Sequence, residues 1–195
     1  MDPDLSAIVQ GECMSVAKNL IGCHLHRTIG SKVLTGIIVE TEAYLSSHDP
    51  ACHASRGKTR RNSTMFGQAG RAYVYLIYGL HYCLNLVTGQ VGKGEAVLIR
   101  ALEPLKGQDI MVKNRGKINK DNLTNGPGKL CQAFKIDGNL NGHDLSSQPL
   151  FISVPKEYQH GITIKETPRI GITKGKDMLL RYVMADSSYL SRSDS

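Results

Sequence analysis

Met14, Ala17, Leu20 and Ile21 recur at the spacing of one helix face, and Gly22 follows them with the conformational freedom that suits a helix end. The pattern predicts a short helix. Beyond it the period shortens to two. Residues 23–27 and 32–44 flank Thr28-Ile29-Gly30-Ser31, which predicts two antiparallel strands joined by a Gly-containing turn. Side chains alternate along a strand, so Ile38, Glu40, Glu42 and Tyr44 share one face of the second strand and its two carboxylates point the same way. Alternation stops near Leu45. Ser46-Ser47-His48-Asp49-Pro50 is turn-like and opens a loop that runs to Gly70.

Residues 71–78 and 80–87 form two β-rich runs broken around Gly79, and 96–102 is a third beyond the Gly-rich stretch 89–94. Gly126-Pro127-Gly128-Lys129 leads into Leu130-Cys131-Gln132-Ala133-Phe134 as a helix start with Pro in its first turn. Residues 150–154, 162–164, 170–173 and 179–184 supply further strands, and 190–195 reads as a frayed tail. No repeat or linker divides the chain. The expectation is an α+β fold: a single domain over residues 1–195, with a curved, mainly antiparallel β-sheet flanked by several α-helices.

A chain of 195 residues, 41% hydrophobic and 21% charged, supports a core without metal or disulfide and is neither disordered nor fibrous. Met1-Asp2-Pro3-Asp4 carries acid where a secretory signal carries base, so export is not expected. The longest apolar stretch, 72–87, holds Gly79, His81, Asn85 and four tyrosines and is shorter than a membrane span. Five scattered cysteines (Cys13, Cys23, Cys52, Cys83, Cys131) suit reduced thiols. A monomer is expected, in the cytoplasm of a bacterium or the nucleus of a eukaryote.

Charge sharpens the picture. The formal net charge is +7, and no carboxylate lies between Asp49 and Glu95 although Arg56, Lys58, Arg60, Arg61, Arg71 and Lys93 do. A second basic stretch, 106–135, sets seven Lys or Arg against Asp109 and Asp121. Both would attract a polyanion such as nucleic acid; the plainer alternative is a solvated basic surface.

Glu40 and Glu42 are the natural acid or base candidates, against the alternative of a solvated strand edge. His48, Cys52 and His53 lack the Cys pairs that a structural zinc site needs, and no nucleophile elbow or P-loop appears. Tyr73, Tyr75, Tyr78 and Tyr82 crowd ten residues beside a basic loop in a chain with no Trp. They are either core packing or faces on which bases stack. A tight turn at Gly79 would set Tyr78 and Leu80 at a hairpin tip, as a wedge for a base stack. The start of the 127–134 helix offers amides to a phosphate.

Together these residues resemble the alkyladenine (methylpurine) DNA glycosylase family. The likeness runs from Leu20-Ile21-Gly22 to about Arg181. It is carried by Val39-Glu40-Thr41-Glu42-Ala43-Tyr44, Asp49-Pro50-Ala51-Cys52-His53, and Arg61-Asn62 before Met65-Phe66. Further on it is carried by Tyr73 to Gly79, Cys83-Leu84-Asn85, Leu98 to Pro104 and Asn125 to Leu130. The resemblance implies excision of damaged purines, alkylated adenine and guanine with hypoxanthine and ethenoadenine beside them, from double-stranded DNA. It implies no cofactor or metal and no backbone cleavage. Glu42 would activate the attacking water and Arg100 would position it; Tyr44, His53 and Tyr75 would form an aromatic pocket, with Asn85 excluding normal guanine. Tyr78, with Leu80, would fill the gap in the duplex. Arg60, Arg61, Gly126, Gly128 and Lys129 would meet phosphates, with steep salt dependence.

Two places depart from the family pattern: Met178-Leu179-Leu180-Arg181-Tyr182 replaces a Pro-Trp-Arg-Phe-like segment, and His81 stands where another aromatic is usual. Glu40 has no assigned role. Two other classes stay open, a non-catalytic module that binds distorted nucleic acid and a magnesium nuclease built on Glu40, Glu42 and Asp49.

Overall fold

The computed structural model describes residues 5–116, 122–156 and 160–192. Met1 to Asp4, residues 117–121 of the second basic stretch and the last three positions of the expected tail lie outside them. Helices α1 (Leu5–Val9) and α2 (Cys13–Asn19) precede strands β1 (His24–Ile29), β2 (Lys32–Tyr44), β3 (Ala72–Ile77), β4 (His81–Thr88) and β5 (Glu95–Lys106). Helices α3 (Gln108–Arg115) and α4 (Pro127–Ala133) follow, then β6 (Leu150–Ser153), β7 (Ile164–Thr167) and β8 (Arg181–Met184).

All strands pair antiparallel in one curled sheet of order β3-β4-β5-β2-β1-β6, with β8 joining β2 to β7. This is the expected α+β fold. Strand β2 is its axis. Its first half pairs with β1, residues 40–42 pair with β8, and β5 runs along the other side. Register shifts against β5 on both sides of Glu40 mark the place where β2 changes neighbours, as bulges commonly do beside active sites. Glu40 and Glu42 therefore sit inside the sheet, not on a solvated edge, and both are fully buried.

The core gathers Leu20, Ile21, Leu25, Leu34, Ile38, Leu84, Leu86 and Ile99, none with exposed surface, under the helices. A smaller apolar cluster of Cys52, Ala54, Met65, Tyr73, Val87 and Ala96 packs with Tyr44, Phe66 and Tyr75 beside β3 and gives the site a firm backing.

Several expectations change. In α2 the buried stripe is Cys13, Val16 and Ala17, while Met14 faces outward. Residues 170–173 form no strand, because the amide of Ile170 serves a carboxylate instead of a ladder. The sequence pattern predicts neither α1 nor α3; α3 buries only Met111 and so lacks a strong apolar stripe. The tail does not fray from residue 190, since Ser191 is bonded to Glu40 and Arg100.

Candidate active site

A cavity of about 330 Å³ opens between the β3–β4 hairpin, the end of β2 and the 170–172 loop. Tyr44, His53, Tyr73, Tyr75, Asn85 and Arg100 are among its lining residues. Period two puts Tyr73 and Tyr75 on one face of β3, their rings 5.3 Å apart and tilted 31°. His53 arrives from the loop after β2 and meets the Tyr75 ring edge-on at 4.6 Å, with its Nδ1 3.1 Å from the Tyr73 hydroxyl. Asn85 stands opposite Tyr73 on β4 and donates from Nδ2 to the Tyr73 carbonyl at 2.9 Å, which pins its amide.

His53 keeps an exposed face, yet the atoms crowding its ring, and secondarily Arg61, hold its pKa below the ordinary histidine value, so the imidazole is neutral near pH 7. Burial pushes the Tyr73 phenol up to about 12; it also raises Tyr44 and Tyr75. The side of the cavity formed by Tyr44, His53, Tyr73 and Tyr75 is therefore uncharged and aromatic, a surface that attracts a flat cation, and Arg100 supplies positive charge elsewhere in the lining.

Behind Tyr44 and Arg100 lies Glu42. Its Oε2 accepts a hydrogen bond from the Tyr44 hydroxyl at 2.7 Å, its Oε1 accepts from the Ile170 amide at 2.8 Å, and Arg100 Nη1 approaches to 3.2 Å. A carboxylate offers about four lone-pair sites, so these three donors leave room for one more at Oε2. Arg100 Nε also bonds Glu40 at 2.9 Å, so one guanidinium bridges both carboxylates. Period two along β2 thus puts Glu40 and Glu42 on the same guanidinium. Burial disfavours a charged Glu40, but Arg100, the Ser191 amide and Arg181 outweigh it and hold the carboxyl below its ordinary value. Burial likewise opposes the Arg100 charge, and Glu42 and Glu40 more than restore it.

The hairpin tip is bare: Tyr78 is 84% exposed and Leu80 75%. Tyr78 and Gly79 both take positive φ, 53° and 69°, and Leu80 N–H donates back to Ile77, the geometry of a tight hairpin turn. Tyr78 also lines the cavity mouth, which Leu80 does not.

The phosphate candidates fall into two groups. Arg60 is exposed on the loop, whereas Arg61 leans 5.6 Å over the Tyr75 ring and donates to the Leu76 carbonyl. Gly126, Gly128 and Lys129 line a second cavity of about 290 Å³, with His81, Arg115 and Ser191, on the other side of Arg100. Lys129 donates to Asn125 at 2.9 Å. A Cβ on Gly128 would stand 3.0 Å from that of His81, which gives this glycine a packing role as well.

Four further residues hold the site without any local signal in the sequence. Arg169 grips Asp49 through two 2.6 Å bonds, donates to the Ala43 carbonyl and covers the Tyr44 ring at 4.6 Å. Ile170, its neighbour, holds Glu42; Arg181 and Ser191 hold Glu40. A buried acid such as Asp49 demands a cation, but no local spacing names one 120 residues away. The three acids considered for magnesium are all paired with guanidinium groups, Glu40 and Glu42 with Arg100 and Asp49 with Arg169. Among the described residues no three His, Cys, Asp or Glu side chains are grouped to hold a metal, and no helix is long and apolar enough to cross a membrane.

The sequence model of the methylpurine-DNA glycosylase (MPG) family matches residues 7–188. The chain belongs to that family. It shares 49% identity over 181 residues with a protein of Carboxydothermus hydrogenoformans, covering 93% of this chain and 94% of that one. With a protein of Methanoculleus marisnigri it shares 50% over 192 residues, covering 96% and 97%. With one of Legionella pneumophila it shares 47% over 180 residues, covering 91% of each. All three relatives carry the name "Putative 3-methyladenine DNA glycosylase". Membership of the methylpurine-DNA glycosylases makes the chain a DNA repair hydrolase that cleaves N-glycosyl bonds.

Proposed function

We propose that the protein is a monofunctional glycosylase that turns an alkylated purine out of double-stranded DNA into the aromatic cavity. There a water activated by Glu42 hydrolyses the N-glycosidic bond and leaves an abasic site. The observation that carries this reading is the buried Glu42 carboxylate, held by Tyr44, Ile170 and Arg100, three residues that line the aromatic cavity of about 330 Å³.

An alkylated purine is a cation and already a good leaving group. The protein therefore has little bond-making to assist beyond water activation: it must hold the base, keep a carboxylate charged beside the developing oxocarbenium centre and take a proton from water. Tyr44 with its raised pKa stays a donor to Glu42, and Arg100 Nη1 faces the same carboxylate at 3.2 Å. The free lone pair of Glu42 Oε2 accepts the water proton. Neutral His53, with Tyr44 and Tyr75, stacks on the cationic base without repelling it, and neutral lesions such as hypoxanthine and ethenoadenine gain less. Asn85, its amide pinned to Tyr73, meets the 2-amino group of normal guanine as a clash.

Turning the base out costs a few kcal/mol of stacking and pairing, least at a damaged pair. Tyr78 enters the vacated gap, with Leu80 beside it, and Arg60, Arg61, Lys129 and the amides of Gly126 and Gly128 meet phosphates. The nucleophile is the water, so the DNA backbone stays uncut. The enzyme acts as a monomer, in the cytoplasm of a bacterial host or the nucleus of a eukaryotic one.

The test is excision from a labelled methyladenine duplex in EDTA, with strand scission scored with and without alkali. Wild type should give alkali-dependent scission only, and Glu42→Gln should lose about 10²- to 10⁴-fold in rate while still binding the lesion duplex. Equal activity of the two proteins rejects Glu42 as the base. Absence of abasic sites from either protein, with binding intact, hands the reading to the binding-module class.

A further inference from the structure

Arg100 can assist Glu42 only while its guanidinium keeps one orientation, and three nitrogens decide that orientation. Nε is held by Glu40 Oε1 at 2.9 Å, Nη1 faces Glu42 at 3.2 Å, and Nη2 donates to the hydroxyl of Ser191 at 3.1 Å. That hydroxyl donates in turn to Glu40 Oε1 at 2.7 Å, and the Ser191 amide donates to Glu40 Oε2 at 2.6 Å. The carbonyl of Arg192 accepts from Arg181 Nη2 at 3.2 Å, while Arg181 Nε reaches Glu40 at 2.7 Å. The segment after β8 is thereby clipped to β2, β5 and β8 through one buried carboxylate. Ser191 lies past residue 188, where the family match stops.

We propose that Ser191 is a positioning residue for base excision: its hydroxyl, carried on Glu40, fixes the plane of the Arg100 guanidinium so that Nη1 meets Glu42. The geometry gives the reason. Nε alone is a single point about which a planar fork can turn, whereas Nε and Nη2 together define its plane. Of the two functions of Ser191, only the hydroxyl touches Arg100; the amide anchors the segment to Glu40. Glu40, to which the family resemblance assigns no role, is the post on which both Arg100 and Ser191 are mounted. This inference rests on the reading of Glu42 as the base.

The test compares Ser191→Ala, Ser191→Thr and Glu42→Gln with wild type. It measures single-turnover excision, affinity for a duplex carrying a stable abasic-site analogue, and thermal midpoint. Ser191→Ala keeps the amide anchor and removes the hydroxyl. Its excision rate should fall about tenfold with affinity within about twofold and the midpoint little changed, and Ser191→Thr should return the rate to within about twofold of wild type. A Ser191→Ala rate equal to wild type, a loss confined to affinity, a loss that follows the thermal midpoint, or failure of Ser191→Thr to restore the rate each overturns the proposal. If Glu42→Gln is inactive in the same assay while Ser191→Ala is unchanged, the role of Ser191 alone falls; if Glu42→Gln is active, the reading of the site falls with it.

Discussion

Asp49→Asn removes a single charge from a place where four donors converge. Its carboxylate accepts two bonds of 2.6 Å from Arg169 and one of 3.1 Å from each of the Leu45 and Ala51 amides, and neither ionic side chain has exposed surface. In the variant an amide NH₂ faces donors at one of the two positions, and the Arg169 guanidinium is left buried without its counter-ion. Breaking such a pair from one side costs about 3–5 kcal/mol. A chain of this size shifts by about 2–4 °C per kcal/mol, so the melting midpoint should fall by about 6–20 °C. Adding Arg169→Met removes the stranded cation and should return about 1–3 kcal/mol. Function should follow, because Arg169 covers Tyr44 and its neighbour Ile170 holds Glu42. At a temperature where Asp49→Asn is still folded, single-turnover excision should be about tenfold slower. Melting by circular dichroism and urea unfolding measure the first effect, and quench-flow excision the second. A loss under about 1 kcal/mol, or no recovery in the double variant, would refute the reasoning that this pair holds the floor of the site.

Two further outcomes are expected. Tyr78→Gly should hold or raise the melting midpoint, since a bulky residue at φ 53° is strained and an 84% exposed ring packs on little, while affinity for lesion duplex falls about tenfold in a fluorescence titration; unchanged affinity would deny the wedge. Glu40 is held below its ordinary carboxylate value, so below about pH 4.5 the unfolded chain takes up the proton first, and the stability that the charged group contributes is lost as the pH falls through its folded value. Urea unfolding from about pH 6 to about pH 3.5 should therefore show a steeper acid loss for wild type than for Glu40→Gln, and parallel profiles would exclude the linkage.

Local pattern carried much of the site. Alternation along residues 38–44 set Glu40 and Glu42 on one face, and both meet the same guanidinium. The break at Gly79 foretold the hairpin whose tip bears Tyr78 and Leu80, and the crowded tyrosines of β3 became the cavity wall. Pattern misled where a segment's hydrogen bonds go somewhere other than its own ladder. Residues 170–173 read as a strand by their β-branched side chains, but the Ile170 amide is committed to Glu42.

What the sequence determined by itself is what neighbours along the chain decide: strand and helix periods, turn positions, the basic charge, and motifs specific enough to name a family. What only the tertiary structure decided is which charges neutralise which. Glu40 and Asp49 are buried, and a buried carboxylate survives only with a cation and donors at hydrogen-bond distance. Among those partners Arg169, Arg181 and Ser191 stand 120 to 151 residues downstream, brought close only by the curling of β8 and the chain around it onto β2. Spacing along the chain carries no record of that approach, because Coulomb attraction and hydrogen bonding act on distance in space.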